Sequence, residues 1–372
     1  TCTLEPSMAE EPKTDQTVPG DQPQLVFSSS RLFTEWLTEE KVSLVFTTYQ
    51  IGKIFFVGLQ PDGRLSVFER SFDRCMGLTQ KNNTLWMSAR CQIWRFENVL
   101  LEGQDYGGYD KLYVPMAGHT TGDADIHDMV IGPDGKPVFA VTLFNCVATL
   151  SDDSSFTPIW KPDFIDGYVA EDRCHLNGLA ADRDGNPRYV TVVSGSNIVE
   201  GWREHRNDGG MVIDMVTNKI ICAGLSMPHS PRFYKNKLWL LNAGTGEFGY
   251  VDQLKKSFVP VAFCPGFLRG LSFSGDYAII GLSKQRTDRT FQDLVLDERL
   301  KKEKVEPRCG LQIINLNTGD ATHTFWIEGI FSEIYGVTAV ASTVRPMALG
   351  FRSQEIARHI KVGDPETPIW LS

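Results

Sequence analysis

Several things are scarce in this chain of 372 residues. No apolar run approaches the roughly 20 residues that a membrane-spanning helix needs, which excludes an integral helical membrane protein. Positive charge is in the minority. The 37 Lys and Arg stand against 46 Asp and Glu, a net charge of −9, so neither nucleic acid nor an anionic membrane is an expected partner. The eight cysteines (Cys2, Cys75, Cys91, Cys146, Cys174, Cys222, Cys264, Cys309) form no CxxC pair and are spread evenly. Several sit in apolar strand-like runs such as Ile221-Cys222-Ala223, and they read as buried thiols, not as a disulfide framework. No GxSxG, HExxH or phosphate-loop pattern occurs. There is no charged-then-apolar leader pattern either, and the expected compartment is the cytoplasm. Long helical periodicity is missing until about residue 290. That argues against helical bundles and βαβ layers.

What is present is a large stock of apolar and turn-forming residues, with 22 Phe, 8 Trp, 33 Gly and 19 Pro. Residues 1–23 are poor in large apolar side chains and read as a disordered acidic tail. Ser28-Ser29-Ser30 offers an N-cap to a short helix with Leu32, Phe33, Trp36 and Leu37 on one face. From residue 42 onward, apolar runs of four to seven residues alternate with Gly, Asn and Asp turns.

Those runs repeat. "MGLTQKNNTLWMS", "HDMVIGPDGKPVFAVT", "NGLAADRDGNPRYVTV", "RFYKNKLWLLN" and "RGLSFSGDYAIIGLS" each read as strand, tight turn, strand. Starts at 76, 127, 177, 229, 269 and 335 are separated by 51, 50, 52, 40 and 66 residues. A period near 40–50 with about four strands per unit is the spacing of a β-propeller. The long last interval contains 284–308, a charged insertion read as a loop or short helix at a blade edge. Residues 43–70 supply three strands without an innermost one, and 335–341 supplies an innermost strand without followers. Joined, they close the ring. The expectation is an all-β, six-bladed β-propeller over 24–372 as one domain, with strands near both termini completing one blade.

In a propeller the residues just before each innermost strand converge on the axis. That column holds Arg74 and Met76; Asp125, His127 and Asp128; His175 and Asn177; His229 and Arg232; Arg269; and Glu333 and Tyr335. Three of the seven histidines fall in it, one in each of three successive blades. Imidazoles gathered at an axis suit a divalent metal, zinc foremost, with iron or calcium as alternatives. His127, His175 and His229 are the candidate ligands. Arg269 would meet an anion, with Tyr335 or Glu333 moving protons. Arg74, Arg232, Asn177 and Asp128 are candidates for substrate contact. The plainer reading is that polar channel residues only satisfy one another and the backbone.

Across 28–352 the chain resembles an uncharacterised family of conserved propeller proteins. The resembling segments include "SLVFTTYQIGKIFFVGL", "HTTGDADIHD", "EDRCHLNGLA" and "LNAGTGEFGYVD". That resemblance implies the fold and no reaction. At blade level "HLNGLAADRDGNPRYV" is similar to gluconolactonase-type propellers, which implies an axial calcium ligand at Asn177. "IHDMVIGPDG" and "MPHSPRF" are similar to the peptidylglycine amidating lyase propeller. That implies zinc ligation by His127 and His229, while the third histidine position holds Asn177, with His175 two residues earlier. The expectation drawn together is a metal-dependent lyase or hydrolase acting on a small, anionic molecule at the axis. The alternative is a non-catalytic scaffold propeller whose axial residues are structural.

Overall fold

A computed structural model describes residues 25–284 and 293–363, so the acidic segment 1–23 lies outside the described residues. Six sheets, antiparallel but for one added edge strand, stand in a ring. The blade that closes the ring orders its strands from the axis outward as Val337–Ala341, Val42–Thr48, Lys53–Leu59 and Leu65–Ser71. An innermost strand from the later part of the chain thus pairs with Val42–Thr48 and shares one sheet with three strands from the earlier part, as the strand count requires. The remaining innermost strands are Leu78–Lys81, Ile126–Ile131, Leu176–Ala181, Pro228–Tyr234 and Phe267–Ser274. Each packs against the next, and the last returns to Val337–Ala341.

Two blades carry a fifth strand. Val26–Ser29 pairs antiparallel with the outer edge of the blade that starts at Phe267, and Pro346–Ala348 runs parallel to Lys111–Thr120. Both cover sheet edges that would otherwise present unpaired amides. The expected serine N-cap is corrected here. Ser28 and Ser29 belong to that edge strand, and the helix Phe33–Glu39 begins after Leu32 with no side-chain cap. Ser30 holds the helix start by its carbonyl, which accepts from Phe33 N, while its hydroxyl accepts from Thr324 N. Phe33, Trp36 and Leu37 are buried as the periodicity predicts, but Leu32 is 55% exposed.

Blades are tied to their neighbours by a repeated device. A Ser or Thr at the end of one blade's second strand donates to a carbonyl at the start of the next blade's first strand. Thr47 reaches Met76 O, Ser88 reaches Ile126 O, Thr142 reaches Leu176 O and Ser283 reaches Ile334 O. Blades also approach closely at the axis. A Cβ on Gly178 would lie 2.2 Å from Thr191 Oγ1 and 2.4 Å from Pro231 Cδ, so only glycine fits. Among the described residues no helix is long and apolar enough to cross a membrane.

The charged insertion forms the helix Val295–Glu303. Its Leu296 and Leu300 join Leu294 in one apolar cluster with Trp202 and Met227. Arg299 pairs with Glu247 at 2.7 Å and lies 4.1 Å over the ring of Phe263. Lys301, Lys302 and Glu303 of this helix face outward, while Leu296 and Leu300 share the cluster that holds Trp202.

Candidate active site at the propeller axis

The approach to four of the six innermost strands turns sharply. Arg74, Asp125, His175 and Met227 all adopt left-handed backbone conformations, with φ of 47°, 55°, 51° and 45°. Such strain in non-glycine residues is tolerated where surrounding packing enforces it, and it concentrates at functional sites. These four form an upper tier with Phe267 and Glu333. Two residues further along each strand, Met76, His127, Asn177, His229, Arg269 and Tyr335 form a second tier. His229 therefore sits in register with His127. The bulge of its strand falls between His229 and Arg232, with Ser230 at φ 51°.

A cavity of about 200 Å³ opens on this column. Five of the ten candidate site residues line it, Arg74, His127, His175, Arg269 and Tyr335, together with Met76 and Asp125 of the same column. Asp128, Arg232, Asn177, His229 and Glu333 lie off its lining. Asp128 and Arg232 form a bidentate pair at 2.8 and 2.9 Å. The Asp128 carboxylate also accepts from Met129 N and from Leu179 N in the next blade. Their geometry is that of an inter-blade tie, in place of the expected substrate contact. Asn177 is equally committed: its Oδ1 accepts from Thr191 Oγ1 at 2.8 Å, which aims its amide nitrogen at His229 Nε2, 3.4 Å away. An axial calcium ligand would need that oxygen.

Five residues that the column reading missed complete the lining: Asp172, Trp202, Arg203, Tyr49 and Met227. Asp172 and Trp202 act on His175. The His175 Nδ1 lies 2.8 Å from Asp172 Oδ2, which also accepts from Trp202 Nε1 at 3.0 Å. The indole stacks on the imidazole with centroids 4.2 Å apart. Burial alone would raise the Asp172 carboxyl, but the adjacent His175 and the Trp202 N–H bring it below its ordinary value. Arg203 and Tyr49 line the cavity as well. The signal for Asp172 was its place three residues before His175; for Trp202 it was a lone indole in the polar stretch 194–209.

His127 is fixed in one tautomer. Thr142 Oγ1 donates its proton to Leu176 O at 2.6 Å, so toward His127 Nδ1, 2.8 Å away, it can only accept. The other neighbour of Nδ1 is Asp125 O at 3.0 Å, also an acceptor. The proton therefore sits on Nδ1 and Nε2 keeps its lone pair. Burial pushes the His127 imidazole down to about 4, with Asp125 opposing, so it is neutral near pH 7. Burial and Arg269 hold His229 well below its usual value too.

Arg269 is almost fully buried, 4.8 Å over the Tyr335 ring and 3.4 Å from Glu333 Oε2. Burial pushes Glu333 up to about 7, against the pull of Arg269. Burial also raises the Tyr335 phenol, so it stays protonated. Its hydroxyl has no hydrogen-bond partner among the described residues. Arg74 is already neutralised, by Asp123 at 3.0 Å and Asp125 at 2.7 Å.

These opposed shifts set a stability test. Glu333 binds its proton more tightly folded than unfolded, so its share of stability falls as pH rises from 4.5 toward 7. His127, with its folded value depressed from 6.5 to about 4, does the reverse: its share rises with pH between those values. The two partly cancel in the native protein. In Glu333→Gln, unfolding free energy should rise more steeply between pH 5 and 6.5, by up to about 1.4 kcal/mol per pH unit. Urea unfolding at several pH values measures it, and unchanged slopes would contradict the assignment.

Among the described residues no three His, Cys, Asp or Glu side chains are grouped as one metal ion would require. His127 and His175 do stand together, with ring centroids 5.0 Å apart, and His229 is turned to Asn177. The three-histidine arrangement is thus two imidazoles at the cavity and one behind it.

Comparison with known proteins places the fold. A chain of the nidogen/laminin complex is 12% identical with a TM-score of 0.50, covering 81% of this chain and 99% of that one. A protein of unknown function from Bacteroides caccae is 13% identical at a TM-score of 0.47, covering 80% and 98%. Virginiamycin B lyase from Staphylococcus aureus is 11% identical at 0.39, covering 82% and 100%. The nidogen/laminin likeness, at that identity, is one of fold. No curated protein matches the chain. The family model that does match spans residues 31–349, nearly the whole ring, and the chain belongs to that family, described as Domain of unknown function (DUF4915).

Proposed function

We propose that the axial cavity is the active site of a lyase or hydrolase acting on a small anionic molecule. The observation that carries this reading is the buried hydroxyl of cavity-lining Tyr335, which has no hydrogen-bond partner among the described residues and stands beside Arg269. An orphaned buried donor costs about 1–3 kcal/mol, which a ligand oxygen would recover. Arg269 supplies the positive charge, with Glu333 behind it as a positioning residue. His175, oriented through Nδ1 by Asp172, accepts a proton at Nε2, and Tyr335 donates to the developing oxyanion. His127 presents a second neutral imidazole.

A metal-assisted version of the same chemistry has its own support. Both cavity histidines have Nδ1 held by oxygen and Nε2 left to bind, as metal-ligating imidazoles do. A divalent ion such as zinc held by His127 and His175 alone would need its remaining ligands from substrate or solvent, and would supply Lewis acidity. Elemental analysis of the purified protein checks this: near-stoichiometric metal, lost in His127→Ala/His175→Ala, is the expected result of that version. Metal at background levels in a protein that still turns over substrate would leave the acid–base version.

Turnover itself is tested on a panel of carboxylate-bearing esters, lactones and β-substituted carboxylates followed by NMR. Any activity found should fall about 100-fold or more in Asp172→Asn, with far-UV circular dichroism unchanged. Activity insensitive to Asp172, His175 and Tyr335 would contradict the assignment. Variants that lose stability alone, with no ligand bound by the native protein, would favour the scaffold alternative.

A further inference from the structure

Among the described residues three arginines line the axial cavity, Arg74, Arg203 and Arg269, and the proposed chemistry uses only the last. Their surroundings differ. Arg74 is held by Asp123 and Asp125. Arg269 is the deepest, its side chain 7% exposed. Arg203 is the outermost at 42%, so it stands where the cavity meets solvent. Glu200 meets it at 2.9 Å and is itself 56% exposed. An exposed pair three residues apart is worth little, and its carboxylate exchanges readily for another anion.

The Arg203 cation is nonetheless placed. It sits on the short helix Gly201–His205, where its backbone N donates to Glu200 O at 3.1 Å. The segment after it is tied down by Ser226 Oγ on Arg206 O at 2.9 Å and by Asn207 Nδ2 on Asp293 O at 3.1 Å. Its Cζ lies 4.5 Å over the buried indole of Trp202, a cation–π contact. From there a continuous wall of rings leads to Arg269. The indole is stacked 4.2 Å from His175, whose ring lies 5.0 Å from His127. His127 lies 5.4 Å from Tyr335, and the Arg269 Cζ is 4.8 Å over that ring. Only two carboxylates, Asp125 and Asp172, line the cavity beside the three guanidiniums, so its wall is net positive. Both are committed, to Arg74 and to His175 with Trp202.

We infer that the substrate carries two anionic groups, the inner one at Arg269 and Tyr335 and the outer one at Arg203, with the carbons between them against His127 and His175. This rests on the anion-binding reading of the cavity and adds the class of molecule, a short dicarboxylate or a phosphorylated carboxylate. A cavity of about 200 Å³ has room for two charged groups and a few carbons. One guanidinium alone would bind any small anion. Two at different depths of one cavity favour the molecule that reaches both, because the second charge-assisted contact is made by a group already brought close by the first.

Isothermal titration with acetate and with succinate tests this on native protein, Arg203→Met, Arg203→Lys and Arg269→Gln. Succinate should bind the native protein about tenfold more tightly than acetate, beyond what two carboxylates give by statistics alone. Arg203→Met keeps an unbranched stem over Trp202 and removes the charge, and the succinate-to-acetate ratio should fall to the statistical value. Arg203→Lys restores the charge without the planar fork and should recover part of the ratio. A statistical ratio in the native protein, with acetate binding still dependent on Arg269, would overturn the inference and leave the proposed function standing. A high ratio that survives in Arg203→Met would overturn it too. That holds even where both ligands weaken together, since Arg203 would then act only through Trp202. Binding of neither acid would overturn both readings. A salt series on native protein needs no variant to fold. The ratio should shrink as salt rises, because Arg203 is exposed, and a ratio indifferent to salt would contradict a second carboxylate at Arg203.

Discussion

Asp128→Ala should destabilise the protein by about 3–5 kcal/mol, the range for breaking a buried ion pair from one side. Three losses combine. The Arg232 guanidinium loses its bidentate partner, and the amides of Met129 and Leu179 lose their acceptor. Leu179 lies on the innermost strand of the next blade, so the damage falls on the contact between blades. The melting temperature should drop by roughly 5–8 °C in a chain of this size. A double-mutant cycle gives the sharper result. Asp128→Ala/Arg232→Ala should cost little more than the worse single change, because the orphaned charge is gone. Additive losses would show that the two residues stabilise the ring independently.

Anion binding should depend most on Arg269. In Arg269→Gln the dissociation constant for acetate and for inorganic phosphate should rise about 100-fold, as expected for loss of a buried charge-assisted contact. Tyr335→Phe should raise it about tenfold, since one neutral donor is removed. Glu333 takes up its proton readily once Arg269 is gone, because burial already pushes it to about 7. The Arg269→Gln variant should therefore fold, and titration calorimetry can read its affinity directly. Equal affinities in all three proteins would place the anion elsewhere.

The ring was legible in the sequence because it rests on local signals. Hairpins such as Gly132-Pro133-Asp134-Gly135 announce themselves in a few residues, and their period counts the blades. Closure was legible too: a first strand missing near residue 43 and one to spare near 337 complete each other. The column of residues before each inner strand follows from the same period, which is why Arg74, His127, His175, Arg269 and Tyr335 all reach the cavity.

What the period could not supply is how neighbours use each side chain. Arg232 looks like an axial cation, but the bulge after His229 turns it to Asp128. His229 matches His127 in position, yet the amide of Asn177 stands against its Nε2. Glu333 belongs to Arg269 more than to the cavity. Asp172 and Trp202 come from an inter-blade loop and from a loop between the second and third strands of one blade. Their meeting at His175 is a tertiary event with no sequence period. The insertion helix was legible as charge, but its leucines behind Trp202 were not.

The central claim is an anion at the axis. A crystal soaked in selenate, which does not alkylate imidazoles, reports it through the anomalous signal of selenium. A selenium peak is expected inside the axial cavity, with selenate oxygens within hydrogen-bond distance of Tyr335 Oη and the Arg269 guanidinium. The peak should be lost in Arg269→Gln. Selenium peaks confined to the outer surface, with an empty axis in well-ordered crystals, would contradict it.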